Sequence, residues 1–442
     1  MLDKKWIEQT CHDLGYTWRQ RTLDPLTTIQ LFTQQVLHGN IACSKVRHLS
    51  DENFSATAYC QALARLPREL FDQLLKRSSA AAANQHANQH DGRWHGHRVH
   101  HLDGTTFSMP DTPELQKHFG QSGQQAPGCG FPVAHLLARF DAATGMVLDM
   151  TASPMRTHDM AKVAETQTHL QEDDLLIADC AFCTYAHVAL LLQSKMHGLF
   201  PIHQRRIVNF TPRRPYTRSG RGQSEQRKGL RGLPGLPRSR WIKKLGPRDQ
   251  LVEWFKPLER PQWISQEEYD ALPNSIIVRE VQTKVRKPNG QMVVVTMATT
   301  LRDAKKYSRK ALAKLLEQRW GVEINFRHLK TTMKMEVLRC KTVDGVLKEL
   351  TIYALVYNLV RLVMLDVAKR QSQDVARISF ADTLAFLCYA KAGTPLPKII
   401  INPHRPQRWD VRVLKRRPKP YKLLNKPRHE MRQAQLKQKD TA

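Results

Sequence analysis

Apolar residues recur at helical spacing through the first 80 residues of the chain. They do so in Thr28–Leu37 and again in Ala56–Leu75, where Pro67 divides the segment into two predicted helices. A low-complexity Ala/Asn/Gln/His stretch follows at Ala80–Gln89 and is typical of a linker or a frayed helix end. We therefore predict a helical N-terminal domain and linker over residues 1–97.

From Val99 onward the pattern changes to short strand-like runs separated by helical segments. The predicted order is three strands, a helix, a strand, a helix and a strand, which is typical of an α/β layer arrangement. The predicted strands are Val99–Leu102, Pro132–Phe140, Gly145–Thr151, Asp174–Ala178 and Gly198–His203, and the predicted helices are Thr157–Gln171 and Thr184–Lys195. We assign residues 98–203 to the first part of an α/β core.

A second strand-rich region follows at residues 204–305. Its clearest feature is a predicted hairpin, in which two strand-like runs flank the turn Pro288-Asn289-Gly290. The period becomes helical again from Ser308 to Lys334. We predict that residues 306–390 complete the core and that residues 391–442 form a basic tail.

The longest apolar stretch runs from Leu350 to Ala368. Asn358, Arg361 and Asp366 interrupt it, so we predict a buried core helix rather than a transmembrane span. The N-terminus also lacks the apolar stretch of a signal peptide, and the eight cysteines are scattered, which is typical of a reduced intracellular chain. We expect a soluble cytoplasmic protein that is not associated with a membrane.

Composition adds a strong charge imbalance to this picture. The 442 residues include 69 Lys and Arg against 40 Asp and Glu, a net charge of +29, and 41% of them are hydrophobic. The apolar content excludes a largely disordered chain, and the charge excludes an ordinary acidic metabolic enzyme. A surplus of this size attracts a polyanion, of which nucleic acid is the commonest.

Two segments carry most of the surplus. Gln204–Arg248 contains 14 Lys and Arg against the single acid Glu225, and Ile401–Ala442 contains 13 against three acids. A surface that is merely soluble mixes both signs of charge, so we predict that these segments contact phosphates.

Three acids stand where a metal site could form. Asp103 and Asp179 each follow a predicted strand, and Glu323 lies on the predicted helix Ser308–Lys334. Carboxylates at the rim of a sheet suit Mg²⁺, a hard cation that prefers oxygen ligands. At helical spacing, the cations that share a stripe with Glu323 are Arg319, Arg327 and Lys330. Taken singly, each aspartate is more often a turn residue.

The segment around Glu323 resembles the DDE transposases of bacterial insertion sequences, in the family numbered four. That group carries a signature of Tyr, two residues, Arg, three residues, Glu, six residues and Lys. Arg319, Glu323 and Lys330 stand at those intervals, whereas Leu316 occupies the tyrosine position. The segments around Asp103 and Asp179 resemble the first and second acid motifs of the same family.

This resemblance implies an RNase H-like catalytic core interrupted by a β-rich insertion domain and preceded by a helical DNA-binding domain. It implies Asp103, Asp179 and Glu323 as catalytic acids that hold two Mg²⁺ ions, with Mn²⁺ as the alternative ion. It further implies cleavage at transposable-element ends and strand transfer into target DNA, with the cations contacting DNA. Terminal inverted repeats and target DNA are the implied partners, and a homodimer is implied in the synaptic complex.

Related enzymes stack a flipped base on an aromatic side chain of the inserted domain. The second hairpin strand has no tryptophan, which leaves Trp241, Trp254 and Trp263 as weaker candidates for that role. Two other functions remain open at this point. One is an RNase H-like structure-specific nuclease, and the other is an inactive or domesticated DNA-binding protein.

Two further motifs could bind a metal. Cys180 and Cys183 form a C-x2-C pair, but no second pair at zinc spacing follows, so we expect burial instead. A histidine tract consists of His86, His90, His95, His97, His100 and His101. We interpret this tract as linker and phosphate contact rather than a transition-metal site, because no helical geometry or cysteine accompanies it.

Overall fold

The computed structural model describes most of the chain. The described residues are 2–87, 92–123, 125–155, 157, 160, 162–163, 170–218, 235–287, 290–336, 338–391, 393–403, 424 and 426–439. Within them the protein is a mixed α/β structure, with one large sheet covered by helices. The predicted helix Thr157–Gln171 falls largely outside the described residues.

Five helices precede the sheet, and their starts are set by local capping. Asp24 caps one helix through its carboxylate and Pro25 occupies the first turn, where its missing N–H costs nothing. Ser55 caps another, and the break at Leu66 before Pro67 confirms the predicted division into two helices. These helices are α1 (Lys4–Asp13), α2 (Pro25–Leu37), α3 (Cys43–Val46), α4 (Ala56–Arg65) and α5 (Arg68–Ala87).

Nine described strands form the sheet, in the order β3-β2-β1-β4-β5-β9-β8-β7-β6. Strands β1, β4 and β5 are parallel to one another, and the other neighbouring pairs are antiparallel. The strands are β1 (Val99–Ser108), β2 (Val133–Asp141), β3 (Val147–Pro154), β4 (Leu175–Ile177), β5 (His197–Pro201), β6 (Ser239–Gly246), β7 (Asp249–Phe255), β8 (Ser275–Arg286) and β9 (Met292–Thr299).

The remaining described helices are short except for one. They are α6 (Pro113–Phe119), α7 (Tyr185–Gln193), α8 (Gln266–Ala271), α9 (Arg309–Gln318), α10 (Gly321–Arg327), α11 (Val343–Arg370), α12 (Phe380–Tyr389) and α13 (Arg428–Lys439). A π-helical turn, His328–Thr332, continues directly from α10.

Two differences from the predicted strands bear on the site. The first strand does not end at Leu102 but continues to Ser108, because Gly104–Ser108 pair with the antiparallel neighbour β2. The predicted hairpin is confirmed as β8 and β9, whereas β6 and β7 were not predicted. Strands β6–β9 add to the edge of the core sheet at β5, so the strand-rich region continues the same sheet.

The long helix α11 lies in the main hydrophobic core and confirms the prediction for Leu350–Ala368. It is the described helix with the length and apolar character of a membrane span, but two-thirds of its apolar window is buried inside the protein. The polar residues that interrupt it have partners in the core. Asn358 accepts from Val147 N–H at 2.9 Å and donates to Val147 C=O at 2.8 Å, and Arg361 donates to Thr144 C=O.

The strands that follow β5 have a polar core of their own. Arg279 is fully buried and donates two hydrogen bonds to the carboxylate of Asp249, at 2.8 and 2.6 Å. Glu280, also buried, accepts from the indole N–H of Trp254 at 2.9 Å. Because a buried charge without a partner is costly, these pairs define the packing of β7 against β8.

Candidate active site

The structure brings Asp103 and Asp179 to corresponding positions on neighbouring strands. His101 of β1 pairs with Ile177 of β4. Asp103 lies two residues after His101, and Asp179 lies two residues after Ile177. Side chains two residues apart in extended chain share a face, so both carboxylates lie on the same side of the sheet. Asp103 lies inside β1, and Asp179 lies two residues beyond the end of β4 and caps a short 3-10 turn through Ala181 N–H.

Glu323 lies in the first turn of α10. The predicted continuous helix is divided here, because α9 ends at Gln318 and Arg319 and Trp320 form a tight turn before Gly321. After α10 the backbone widens into the π-helical turn, which includes Lys330. Such turns are rare and occur frequently at functional sites.

The electrostatics of Asp103 link the three acids. Burial, together with the smaller effects of the charges of Asp179 and Glu323, raises the pKa of this carboxyl to about 6, against the opposing effects of Gly104 N–H and Arg319. The Asp103 side chain is 20% exposed, so the site is accessible from solvent. Because two neighbouring carboxylates disfavour the ionisation of Asp103, a cation bound beside it would be stabilising.

The donor set fits a hard divalent cation. All three side chains offer carboxylate oxygens, which Mg²⁺ prefers, and the like-charge repulsion at Asp103 is what a bound cation relieves. Among the described residues, the group of three ligands whose atoms all lie within 4.8 Å of one another is His97, Asp173 and His197, not these acids.

The predicted cations have different surroundings. The guanidinium Nη1 of Arg319 lies 3.5 Å from Asp103 Oδ2, and its side chain is largely buried. Lys330 donates to Thr106 C=O at 2.9 Å and lies 3.3 Å from Thr105 Oγ1, so it holds the outer half of β1. Arg327 is exposed on α10.

Leu316, the residue at the signature tyrosine position, is part of the hydrophobic core. Leu316 is 2% exposed and packs in an apolar cluster with residues of β4, β8 and α9. Its side chain is therefore unavailable to DNA.

The Gln204–Arg248 segment is not uniformly a phosphate-binding surface. Its residues 219–234 lie outside the described residues, but two of its other cations have partners within the fold. Arg206 is partly buried and lies over the Trp254 ring, 3.4 Å from the centroid. Arg214 is 5% exposed and donates to Asn209 C=O and to Ser239. For Arg214 the predicted phosphate contact is wrong, because its guanidinium donors are used inside the fold.

The three tryptophan candidates differ in burial. Trp254 is fully buried beneath Arg206, so it is excluded as a platform for a flipped base. Trp241 and Trp263 are only partly buried. The Cys180–Cys183 pair follows β4 as free thiols, and burial raises the pKa of Cys183 to about 12.

The histidine tract does not act as one unit. His100 and His101 are buried in β1, His97 contacts other elements, and the side chains of His86 and His90 lie outside the described residues. Sequence reasoning missed the residues that join His97, because Asp173 and His197 are distant in the chain.

Comparison with known proteins identifies relatives of this chain. The family model of the transposase DDE domain matches residues 94–359, which include all three acids and all three predicted cations. The transposase InsG for insertion sequence element IS4, from Escherichia coli (strain K12), is 22% identical over 387 residues, covering 83% of this chain and 77% of that protein. A solved structure of the piggyBac transposase synaptic complex with hairpin DNA covers 86% of this chain and 75% of its own, with 11% identity and a TM-score of 0.42.

The domain match spans more than half of the chain, so the chain belongs to the transposase DDE domain family. It is a DDE transposase, an enzyme that cleaves DNA and transfers strands, and its similarity to the IS4 enzyme confirms the resemblance drawn from the signature. The family uses divalent metal ions.

Proposed function

We propose that Asp103, Asp179 and Glu323 are the three acids of the DDE site and that together they hold two Mg²⁺ ions. The observation that carries this assignment is the register of β1 and β4, which gives Asp103 and Asp179 corresponding positions. The charge of Glu323 also raises the pKa of Asp103, which supports including Glu323 in the site. Two bound ions would supply activation of the attacking oxygen and stabilisation of the leaving oxygen in an in-line phosphoryl transfer.

The core is proposed to be RNase H-like. Its support is the strand order β3-β2-β1-β4-β5, in which the first three strands are antiparallel and β4 and β5 run parallel to β1. We propose the domain division 1–97, 98–203, 204–305, 306–390 and 391–442, with β6–β9 as the insertion. The N-terminal helices would recognise the terminal inverted repeats.

The chain's own residues bind and orient the DNA. Arg327 is exposed beside Glu323 and would contact a backbone phosphate, a contact that sets position rather than sequence. Arg319 holds the Asp103 carboxylate in place and would reach a phosphate when a cation takes over that carboxylate. Lys330 fixes the strand that carries Asp103 through Thr105 and Thr106, and would contact DNA from that position.

The proposed reaction begins with cleavage at the ends of the transposable element, followed by attack of the freed 3′-hydroxyl on target DNA. Two element ends must be brought together, so a homodimer is the proposed synaptic form. We place the protein in the bacterial cytoplasm, on nucleoid DNA.

The test is to neutralise each acid separately as Asp103→Asn, Asp179→Asn and Glu323→Gln. Each variant should lose Mg²⁺-dependent cleavage of an end-containing duplex while retaining DNA binding in a mobility-shift assay. Glu267→Gln, an exposed acid of α8, is the matched control and should cleave normally. Cleavage retained in any one of the three variants would contradict the assignment, and cleavage without strand transfer would indicate a nuclease instead.

A further inference from the structure

A second cluster of metal-binding side chains lies apart from the three acids. One ligand atom from each of His97, Asp173 and His197 lies within 4.8 Å of the others. His97 immediately precedes β1, Asp173 precedes β4, and His197 begins β5. The three residues therefore meet at the amino ends of the three parallel strands.

This edge is opposite the one that carries the proposed catalytic acids. Asp173 and Asp179 flank β4 on its two sides, and six residues of extended chain span roughly 20 Å. The cluster is therefore too far from Asp179 to share a metal ion with it.

The hydrogen bonds around His97 fix its protonation pattern. Its Nδ1 lies 2.7 Å from the backbone C=O of Asp173, which can only accept, so Nδ1 carries the proton. Its Nε2 therefore presents a lone pair, which now accepts from the hydroxyl of Tyr307 at 2.7 Å. A backbone carbonyl that holds one ring nitrogen while the other keeps its lone pair is the usual arrangement of a metal-binding histidine.

His197 is arranged in a similar way. Its Nδ1 lies 3.2 Å from Thr300 Oγ1, and its Nε2 lies 3.5 Å from Asp173 Oδ1.

Asp173 supplies an adjustable third ligand. Its backbone is held in the left-handed region (φ +64°), and its N–H donates to Lys195 C=O. Its side chain is 78% exposed and can rotate. Ligand atoms around tetrahedral zinc are about 3.3 Å apart, given bond lengths of about 2.0–2.1 Å, so binding requires rotation of this side chain and release of the Tyr307 hydroxyl from His97 Nε2.

We propose that His97, Asp173 and His197 bind one Zn²⁺ ion at the amino edge of β1, β4 and β5, as a structural site that is separate from phosphoryl transfer. Two imidazoles and one carboxylate favour zinc over Mg²⁺, which prefers oxygen ligands. The ion would join the segment before β1 to the start of β4 and β5, and Lys306, an exposed cation near His197, limits its affinity.

The experiment uses the full chain with the catalytic acids neutralised as D103N/D179N/E323Q, so that those carboxylates cannot bind the probe. After dialysis against a chelator, Zn²⁺ binding is measured by calorimetry and Co²⁺ binding by its visible absorption. We expect one ion per chain and a rise in the melting temperature on addition of Zn²⁺.

Two further substitutions in that background decide the assignment. His197→Gln and Asp173→Asn should each weaken Zn²⁺ binding by at least about tenfold. Asp173→Asn keeps a residue that tolerates the left-handed backbone and guards against a folding defect. His203→Gln, an exposed histidine beyond β5, is the matched control and should bind normally. Absence of saturable Zn²⁺ binding, or binding in both ligand variants that is as tight as in the parent protein, would overturn the proposal without affecting the DDE assignment.

Discussion

Arg319 Nη1 lies 3.5 Å from Asp103 Oδ2, which joins two residues 216 positions apart in the chain. Arg319 stands in the turn between α9 and α10, so the pair connects the strand of the first acid with the helix of the third. Burial raises the pKa of Asp103, as do Asp179 and Glu323, whereas Gly104 N–H and Arg319 lower it. Arg319 is therefore one of two groups that favour the ionised form of Asp103.

Asp103→Asn should stabilise the protein at neutral pH. The folded-state pKa of about 6 is above the unfolded value, so ionisation of Asp103 reduces stability progressively from about pH 4 to pH 6. Asp103→Asn has no such ionisation. Its gain in free energy of unfolding over the wild type should be absent below about pH 4 and reach at most about 3 kcal/mol above pH 6. Urea unfolding across this pH range measures it. Equal stability of the two proteins at pH 7.5 would contradict the prediction.

Mg²⁺ should stabilise the wild type more than Asp103→Asn, which is opposite to the stability difference expected without metal. Mg²⁺ that binds the folded wild type stabilises it by mass action, whereas Asp103→Asn has lost a ligand. Adding Mg²⁺ should therefore raise the melting temperature of the wild type more than that of the variant, and a chelator should reverse the effect. An identical response in both proteins would place the metal elsewhere.

Arg319→Gln should raise the pKa of Asp103 above 6, because it removes the nearest positive charge. The stability difference between Arg319→Gln and Arg319→Gln/Asp103→Asn, followed against pH, reports this pKa through linkage. The inflection of this stability difference should lie at a higher pH than the inflection of the difference between the wild type and Asp103→Asn. Lys314→Gln, an exposed cation on α9, controls for the loss of charge and should leave the inflection unchanged.

Exposed and buried arginines should differ in their effect on DNA binding. Arg327→Gln should lower the slope of log K against log salt by about 0.9, the value expected for one lost phosphate contact. Arg214→Gln should leave the slope unchanged and lower stability instead, because its guanidinium is bonded to Asn209 and Ser239. Fluorescence anisotropy over a salt series measures both. A reduced slope in the folded Arg214 variant would mean that this arginine reaches DNA.

Leu316→Tyr restores the tyrosine of the signature but should destabilise the protein by about 1–3 kcal/mol. The position is 2% exposed within a packed cluster, where added volume forces neighbouring side chains to move. Leu316→Met, which conserves volume, should cost less than about 1.5 kcal/mol. Thermal unfolding of the three proteins decides between this packing role and a position open to DNA, at which tyrosine would be tolerated.

Patterning along the sequence was sufficient for elements whose residues have one dominant environment. The α11 core helix, the division at Pro67 and the β8–β9 hairpin were predicted because burial or turn chemistry decides each of them locally. Strand β6 was missed because it is an edge strand whose charged residues face solvent, so basic composition concealed its alternation.

Features that depend on tertiary contact could not be predicted. Strand β1 continues past Asp103 only because β2 pairs with it, and the turn at Arg319 interrupts a helical pattern that has no sequence break other than Gly321. The grouping of His97 with Asp173 and His197 arises from three separate strand starts, for which no spacing rule exists. The candidate acids were found because each lies beside a recognisable strand or helix.

The buried carboxylate of Glu349 should determine how firmly the N-terminal helices are held on α11. It accepts from the Asn40 amide at 2.6 Å and from the backbone N–H groups of Arg339 and Cys340 at 2.8 and 2.9 Å. Glu349→Ala leaves these buried donors without an acceptor and should cost about 1–3 kcal/mol for each donor that stays unsatisfied. Glu349→Gln keeps one acceptor oxygen and should cost less. Hydrogen exchange should show faster exchange in α2–α4 of the alanine variant than in β8 and β9. Uniform acceleration across both regions would show that Glu349 stabilises the whole fold instead of holding these helices.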